Sequence, residues 1–128
     1  MSVQVGDRAT YRGESVIVMA KAPHLGGDRW YLRYRDGETI TGWSMAVALG
    51  SDLADRTRPT WETGDSVRVG WTPYRRSGTV TAVGTFGDGR ASYTVQVPQK
   101  TEETPGGTRF YHEAYDTVLG AEHIDTSA

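Results

Sequence analysis

The sequence predicts an all-β protein built from two tandem small β-barrels that are packed together. Glycine accounts for 16 of the 128 residues, which is typical of a chain with many tight turns. Between these turn signals, short runs alternate apolar and polar residues, as half-buried strands do. The pattern of the first half then recurs in the second. Each copy has about 60 residues, a size at which a lone domain is only marginally stable, so packing two together would stabilise both.

The first copy begins with Gly6-Asp7, which opens a short strand over residues 8–12. Residues 15–20 are apolar and β-branched and predict a second strand that is buried on both faces. Residues 23–28 contain Pro23 and Gly26-Gly27 and predict a loop.

The third strand of this copy has a two-residue period. Its first set of alternate residues, Trp30, Leu32 and Tyr34, is expected on one face, and Tyr31, Arg33 and Arg35 on the other, outward face. Asp36-Gly37 is a strong hairpin signal before a fourth strand over residues 38–43. Residues 44–47 are expected to form one helical turn before Ala48-Leu49.

The second copy repeats these signals imperfectly. Gly64-Asp65 corresponds to Gly6-Asp7 at an offset of 58 residues, which grows to 63 at the third strand. We therefore expect the second copy to carry about five extra residues near positions 71–77. The third strand carries Tyr93, Val95 and Val97 at the spacing of its counterpart. Residues 110–114 are expected to match the fourth strand, and 118–119 to match residues 47–49.

These elements give the predicted domain boundaries. Residues 1–53 form the first barrel, and residues 54–62 form a polar linker that contains Pro59. Residues 63–120 form the second barrel, and residues 121–128 form a flexible tail. Residues 99–108 are expected to be a long mobile loop.

Composition excludes several classes of function. The chain has no cysteine, which excludes disulfides, thiolate nucleophiles and cysteine-ligated metals. It has no apolar run near the ~18 residues of a membrane span, so no membrane association is expected. The net charge is -2, which disfavours a dedicated nucleic-acid binder. We expect a cytoplasmic protein, or a virion component if it is phage-encoded, and composition leaves the oligomeric state open.

Two stretches resemble a known family. Residues 64–83 (GDSVRVGWTPYRRSGTVTAV) with 92–97 (SYTVQV) look like the opening of SH3-like barrels of the Tudor and KOW type. Residues 29–43 (RWYLRYRDGETITGW) look like the middle of a Tudor-type domain. Together the two copies cover residues 3 to 119. The resemblance implies SH3-like barrels with a binding role, and it names no ligand.

Tudor-type domains hold methylated Lys or Arg in an aromatic cage. By resemblance, Trp71 and Tyr74 occupy cage positions in the second copy, where Val97-Pro98 replaces the remaining aromatic. In the first copy, Tyr11, Tyr34 and Asp36 occupy cage positions without an aromatic in the first loop. The alternative is that these rings fill the two cores.

Arginines lie beside aromatic residues in the third strand of the first copy and near residues 71–76. Both residue types contribute most of the binding energy in many protein interfaces. We predict a non-catalytic binding or adaptor module that recognises a protein partner through its loops, and a component of a larger assembly such as a phage particle is one form of this prediction. The predicted contact residues are Trp71, Tyr74, Arg75, Arg76, Tyr31, Arg33 and Arg35. The alternative is nucleic-acid binding, which requires Arg12 and the four named arginines to form one basic face.

Catalytic motifs are sparse. The stretch from His112 to Asp116 superficially resembles a zinc-protease motif, but Asp116 replaces the second histidine. Residues 84–89 contain three glycines without a following helix, and Asp88 would repel a phosphate. We therefore predict no enzyme activity, no cofactor and no metal site.

Overall fold

The computed structural model describes residues 2–35, 45–70 and 75–126. All regular elements in these ranges are β-strands or short 3-10 turns. The chain divides into two compact units. The first runs to Thr60 and includes Ala121–His123, and the second runs from Trp61 to Gly120 and includes the strand that follows His123.

The first unit contains one antiparallel sheet of five strands. Its strands are β1 (Arg8–Tyr11), β2 (Glu14–Lys21), β3 (Arg29–Tyr34), β4 (Met45–Leu49) and β5 (Ala54–Thr57). They lie in the order β4-β3-β2-β1-β5. One 3-10 turn, Pro23–Leu25, connects β2 to β3, and another, Gly50–Asp52, connects β4 to β5.

The second unit contains a sheet of the same size and a separate hairpin. Its strands are β6 (Ser66–Val69), β7 (Arg76–Thr85), β8 (Ala91–Val97), β9 (Lys100–Glu103), β10 (Arg109–His112), β11 (Tyr115–Leu119) and β12 (Ile124–Thr126). The sheet has the order β11-β8-β7-β6-β12, and β9 pairs with β10 alone. If the hairpin is set aside, this is the strand order of the first unit.

Hydrogen bonds at the two Gly-Asp pairs confirm the predicted repeat. The amide of Gly6 donates to the carbonyl of Val18 at 2.8 Å, and the amide of Val18 donates to the carbonyl of Asp7 at 2.9 Å. In the second unit, Gly64, Asp65 and Val80 form the same two bonds at 2.8 and 3.0 Å. Gly6 and Gly64 have φ angles of 95° and 98°, which glycine adopts without the cost of a β-carbon.

The strand registers confirm the correspondence of the third strands. Val18 pairs with Leu32 in the first unit, and Val80 pairs with Val95 in the second. The register shifts directly after both pairs, which marks a β-bulge at the same point of each second strand. A bulge bends its strand and increases the local twist. Both second strands are therefore bent at the same place.

Each unit buries its own apolar core. The inner faces of β1 to β4 bury Ala9, Tyr11, Val16, Val18, Leu32 and Ala48 together with Leu53 after the 3-10 turn, and Trp30, Tyr34 and Ala46 pack against this cluster. The second unit buries Val67, Val69, Val80, Tyr93, Val95, Val97 and Ile124. There the ring of Trp61 meets the ring of Tyr93 edge-on, with 5.3 Å between centroids. Tyr11 is thus a core residue, in agreement with the alternative to a cage.

The helical turn expected over residues 44–47 is wrong. Met45–Leu49 forms β4, and its five residues pair with Arg29 to Arg33 of β3. Side chains that alternate with a two-residue period share a face on a strand but not on a helical turn. The hydrogen-bonded pairing with β3 holds the segment as a strand. The predicted Asp36-Gly37 turn and the strand over 38–43 lie outside the described residues.

Three segments expected to be irregular contain strands. Ala54–Thr57, in the expected linker, forms β5 because it pairs with β1. Lys100–Glu103, in the expected mobile loop, pairs with Arg109–His112, so that stretch is part of a hairpin and β11 occupies the fourth-strand position. The expected tail contains β12, which pairs with β6 and buries Ile124.

Candidate functional site

The most unusual surface of the first unit is the outer side of β4. Met45, Val47 and Leu49 are exposed by 49%, 38% and 37%, whereas Ala48, between two of them, is exposed by only 5%. Strand residues alternate between faces, so the three large side chains share the outer face and the alanines share the inner one. This strand therefore reverses the usual arrangement, in which large apolar residues face the core.

Pairing with β3 explains why alanine faces the core. Trp30 lies opposite Ala48, and Leu32 lies opposite Ala46. Two large side chains on β3 fill the space that the inner face of β4 would otherwise occupy, and a close-packed interior has no room for a second large pair. The small alanines therefore fit the core beside β3, and the large residues of β4 remain on the outer face.

The outer face of β3 continues this surface. Arg29 pairs with Leu49, Tyr31 with Val47, and Arg33 with Met45. These six residues together are called the β3–β4 outer face below. It consists of a column of apolar side chains beside a column in which one tyrosine stands between two arginines.

Tyr31 is held in place by the turn that precedes its strand. Its hydroxyl shares a 2.8 Å hydrogen bond with Nε2 of His24, which lies in the 3-10 turn Pro23–Leu25. The two rings lie 5.9 Å apart between centroids. This hydrogen bond restricts the rotamers of the Tyr31 side chain, and a restricted side chain loses less entropy in any contact that it makes.

The predicted contact residues separate into two groups. Tyr31 and Arg33 lie together on the β3–β4 outer face, and Arg35 follows β3, where its amide donates to the carbonyl of Ser15 at 2.9 Å. Arg76 donates to the carbonyls of Pro98 at 2.8 Å and Glu113 at 3.5 Å.

The guanidinium of Arg76 also lies 5.6 Å from the centre of the Tyr115 ring. Arg76 therefore ties together segments of the second unit. Arg75 precedes it and is half-buried. Trp71 and Tyr74 lie outside the described residues.

Sequence reasoning missed Met45, Val47 and Leu49. The signal was present, because long side chains alternate with alanine over residues 45–49. Alanine favours helices, and this preference concealed the two-residue period. Even the correct strand prediction would have placed the three large side chains in the core.

A polar cluster lies beside this surface at the start of β3. Asp28 accepts hydrogen bonds from Nζ of Lys21 at 2.6 Å and from Nε1 of Trp30 at 3.1 Å. The Lys21 ammonium also lies 4.5 Å from the Trp30 ring centre. The hydrogen bond from Lys21 lowers the pKa of Asp28 below its usual range. The carboxylate is thus ionised at neutral pH and cannot act as a general acid there.

The same aspartate and tryptophan line a shallow cleft of about 320 Å³. Its remaining lining comes from Ser2, Val3, Gly50, Ser51 and Arg56. The cleft is small and polar, and its one carboxylate already has two donors. These features make it a poor site for a chemical reaction.

The histidine considered as part of a metal site has a different environment. Nε2 of His112 lies 3.5 Å from a carboxylate oxygen of Glu102 across the β9–β10 hairpin. Lys100 also pairs with Glu102 and lowers its pKa. Asp116 lies on β11 and pairs with Gln96. Within the described ranges, no group of three or more His, Asp or Glu side chains is arranged to hold a metal ion.

An ion pair between a buried carboxylate and a partly exposed guanidinium supports the N-terminal end of the first sheet. The side chain of Asp7 is fully buried and receives Nε and Nη2 of Arg58 at 2.8 and 3.1 Å. Its second oxygen also accepts the amide of Gln4 at 2.9 Å. The bond to Asp7 raises the pKa of Arg58. These contacts join the residues before β1 to Arg58 after β5, so the cluster connects two segments of the first unit.

In the part of the chain that the structure describes, no helix has the length and apolar character needed to cross a bilayer. No protein-family model, curated protein or solved structure matches this chain.

Proposed function

We propose that this chain is a non-catalytic protein-binding module, an adaptor or a component of a larger assembly, and that it docks a protein partner on the β3–β4 outer face. The observation that carries this proposal is the reversal of β4, which exposes Met45, Val47 and Leu49 while it buries Ala48. Isolated exposed apolar residues are common on protein surfaces. A contiguous column of three on a rigid strand is typical of an interaction surface.

The composition of the face supports a protein as the partner. Apolar side chains gain roughly 25 cal/mol for each Å² removed from water. Tyrosine and arginine are enriched among the residues that dominate protein interfaces, and both stand directly beside the column. Nucleic acid offers phosphates and ring faces, neither of which rewards burial of methionine, valine and leucine.

Several arginines are engaged within the chain, which further favours protein over nucleic acid. Arg8 donates to the carbonyls of Gly6 and Ala121 at 2.8 and 2.7 Å. Arg58 binds Asp7, and Arg90 binds Asp88 at 2.8 Å. A side chain that already bonds to its own chain has fewer donors to offer to phosphates, so binding would release few counterions.

We further infer that each unit is an SH3-like barrel. The support is the shared strand order, in which the fifth strand pairs with the first, and the shared bulge in the second strand. In the first unit, a 3-10 turn also separates the fourth strand from the fifth. A bent second strand that pairs on both sides allows a small sheet to curl towards closure.

The protein-binding proposal is tested by comparing capture of proteins by three versions of the full chain. The wild type, Val47→Lys and Val118→Lys are immobilised and exposed to a lysate of the cells that produce the protein. Val118 is the matched control because it holds the position of Val47 in the second unit and is exposed by 57%. We expect a protein that is captured by the wild type and the control and lost with Val47→Lys.

Thermal unfolding checks that all three versions are equally folded. Exposed substitutions usually change stability by no more than about 0.5 kcal/mol. Equal capture by Val47→Lys would show that the proposed face binds nothing. Saturable quenching of tryptophan fluorescence by DNA or RNA that weakens steeply with salt would favour nucleic-acid binding instead.

A further inference from the structure

The backbone of β4 offers hydrogen-bonding groups on the side that faces away from β3. The amide of Gly50 donates to the carbonyl of Asp28 at 2.8 Å, which makes them a hydrogen-bonded pair. Such pairs recur at every second residue of an antiparallel ladder. Ala48 and Ala46 therefore bond to β3, and the amides and carbonyls of Met45, Val47 and Leu49 point away from it, to a side on which no strand of the described residues pairs with β4. This side is called the open edge below.

Within residues 45–49, this edge has none of the features that normally prevent strands from pairing between molecules. Charged residues, bulges and very short strands are the usual protections. The other edge strand of the first sheet, β5, carries Asp55 and Arg56, and Asp55 has a φ angle of 51°. In the second sheet, β11 carries Asp116 and β12 has three residues. Among the four edge strands of these two sheets, β4 alone has no charged residue.

We propose that β4 pairs with β4 of a second copy of this chain, antiparallel and about a twofold axis at Val47. This goes beyond the proposed function, because the partner is the chain itself and the contact is the strand edge. In this register, Val47 lies opposite its own copy and Met45 lies opposite Leu49. The three residues whose backbone faces outward meet one another, as an antiparallel ladder requires. The strand is therefore self-complementary in hydrogen bonding and in side-chain character.

The charges of the neighbouring strand are compatible with this pairing. Arg33 lies beside Met45, and Arg29 lies beside Leu49, so the two rows in which Met45 meets Leu49 have one arginine on each side, whereas Tyr31 flanks the central Val47 row. Strands are spaced about 4.8 Å apart, which puts the two arginines of a row about 14 Å from each other. This exceeds the Debye length of about 8 Å at physiological salt, and the repulsion is therefore largely screened. The two copies of β4 carry no charge, and the arginines on either side of them repel each other only weakly.

The register is tested by disulfide formation, for which the absence of cysteine in the chain is an advantage. Four full-length variants, Val47→Cys, Met45→Cys, Leu49→Cys and Val118→Cys, are oxidised mildly and separated without reductant. Directly opposed residues have Cα atoms about 5.5 Å apart, which a disulfide spans. We expect Val47→Cys to form a covalent dimer at least tenfold faster than Val118→Cys.

Met45→Cys distinguishes the proposed register from others. Two copies of position 45 would lie about 14 Å apart along the strands, too far for a disulfide. Met45→Cys alone should therefore form few dimers, whereas its mixture with Leu49→Cys should form them readily. Rapid linking of Met45→Cys with itself, or no excess of Val47→Cys over the control, would overturn the proposal.

Sedimentation of the wild type over a range of concentrations gives a second test. We expect a monomer–dimer equilibrium that Val47→Pro shifts to monomer, because proline removes an amide that faces the open edge. Edge strands tolerate proline at such positions. A wild type that stays monomeric throughout would overturn self-pairing. Val47→Pro keeps an apolar side chain, so capture of a different protein by this variant would still support the proposed function.

Discussion

Trp30 lies directly opposite Ala48 on the inner side of the β3–β4 pair. Trp30 packs against the core cluster to which Ala48 belongs. At this pair, a large side chain on β3 faces a small one on β4 in the core. The large side chains of β4 therefore lie on the outer face. This pairing links the packing of the core to the surface that we propose for binding.

Ala48→Leu should therefore destabilise the protein. The added side chain has to enter a packed core beside Trp30, and overpacking costs about 1–3 kcal/mol. Urea denaturation followed by circular dichroism measures the loss. Ala20→Leu is the matched control, since Ala20 is exposed on the neighbouring strand β2. An equal effect of the two substitutions would show that core packing does not determine the orientation of β4.

Arg58→Ala should destabilise the first unit by about 1–3 kcal/mol, because it leaves the buried carboxylate of Asp7 without its charged partner. The loss is smaller than for a fully buried ion pair, since the Arg58 side chain is 35% exposed. The double variant Asp7→Ala/Arg58→Ala removes both charges and should cost less than the sum of the two single changes. Denaturant unfolding of the four proteins completes the cycle. Additive losses would mean that the two side chains do not interact.

Gly78→Ala should destabilise the second unit by about 1–3 kcal/mol. A β-carbon at Gly78 would lie 2.7 Å from Cγ1 of Val95 and 2.9 Å from the carbonyl of Gln96. Gly87 has no atom within 4 Å of such a carbon and no positive φ angle, so Gly87→Ala is the control. We expect the control to be neutral or slightly stabilising, and thermal unfolding distinguishes the two. A neutral Gly78→Ala would contradict the close approach of β7 and β8.

Lys21→Met should raise the pKa of Asp28 towards its usual value, because the hydrogen bond from Lys21 is the main cause of its lowering. Carbon-13 chemical shifts of the carboxyl group follow this titration. Lys100→Met is the control, as it acts on Glu102. An unchanged pKa of Asp28 in Lys21→Met would contradict the hydrogen bond between Lys21 and Asp28.

The lowered pKa of Asp28 also determines how its contribution to the free energy of unfolding changes with pH. The folded pKa of Asp28 lies below its unfolded value, so the contribution is fully present above the unfolded value, near pH 4. It is lost as the pH falls through the folded value. Asp28 is exposed, and we therefore expect a small, salt-sensitive difference between wild type and Lys21→Met that disappears in acid.

Much of the fold could be predicted from local patterns. The two Gly-Asp pairs, the alternation of Trp30 with Tyr31, and the corresponding alternation of Tyr93 report directly on turns and strand faces, because each depends on neighbours in the chain. Tyr31 and Arg33 were placed on the outer face for this reason. The segments that became β5, β9 and β12 carry weak local signals, and they became strands by pairing with β1, β10 and β6.

The sequence by itself determined that the chain is all-β and repeated, and it determined which face of β3 points outward. Only the tertiary structure decided the orientation of β4. Periodicity separates Met45, Val47 and Leu49 from the alanines, but it does not say which set enters the core. That choice depends on the volume already filled by Trp30 and Leu32 on the opposite strand, which is a property of the packed unit and of no single segment.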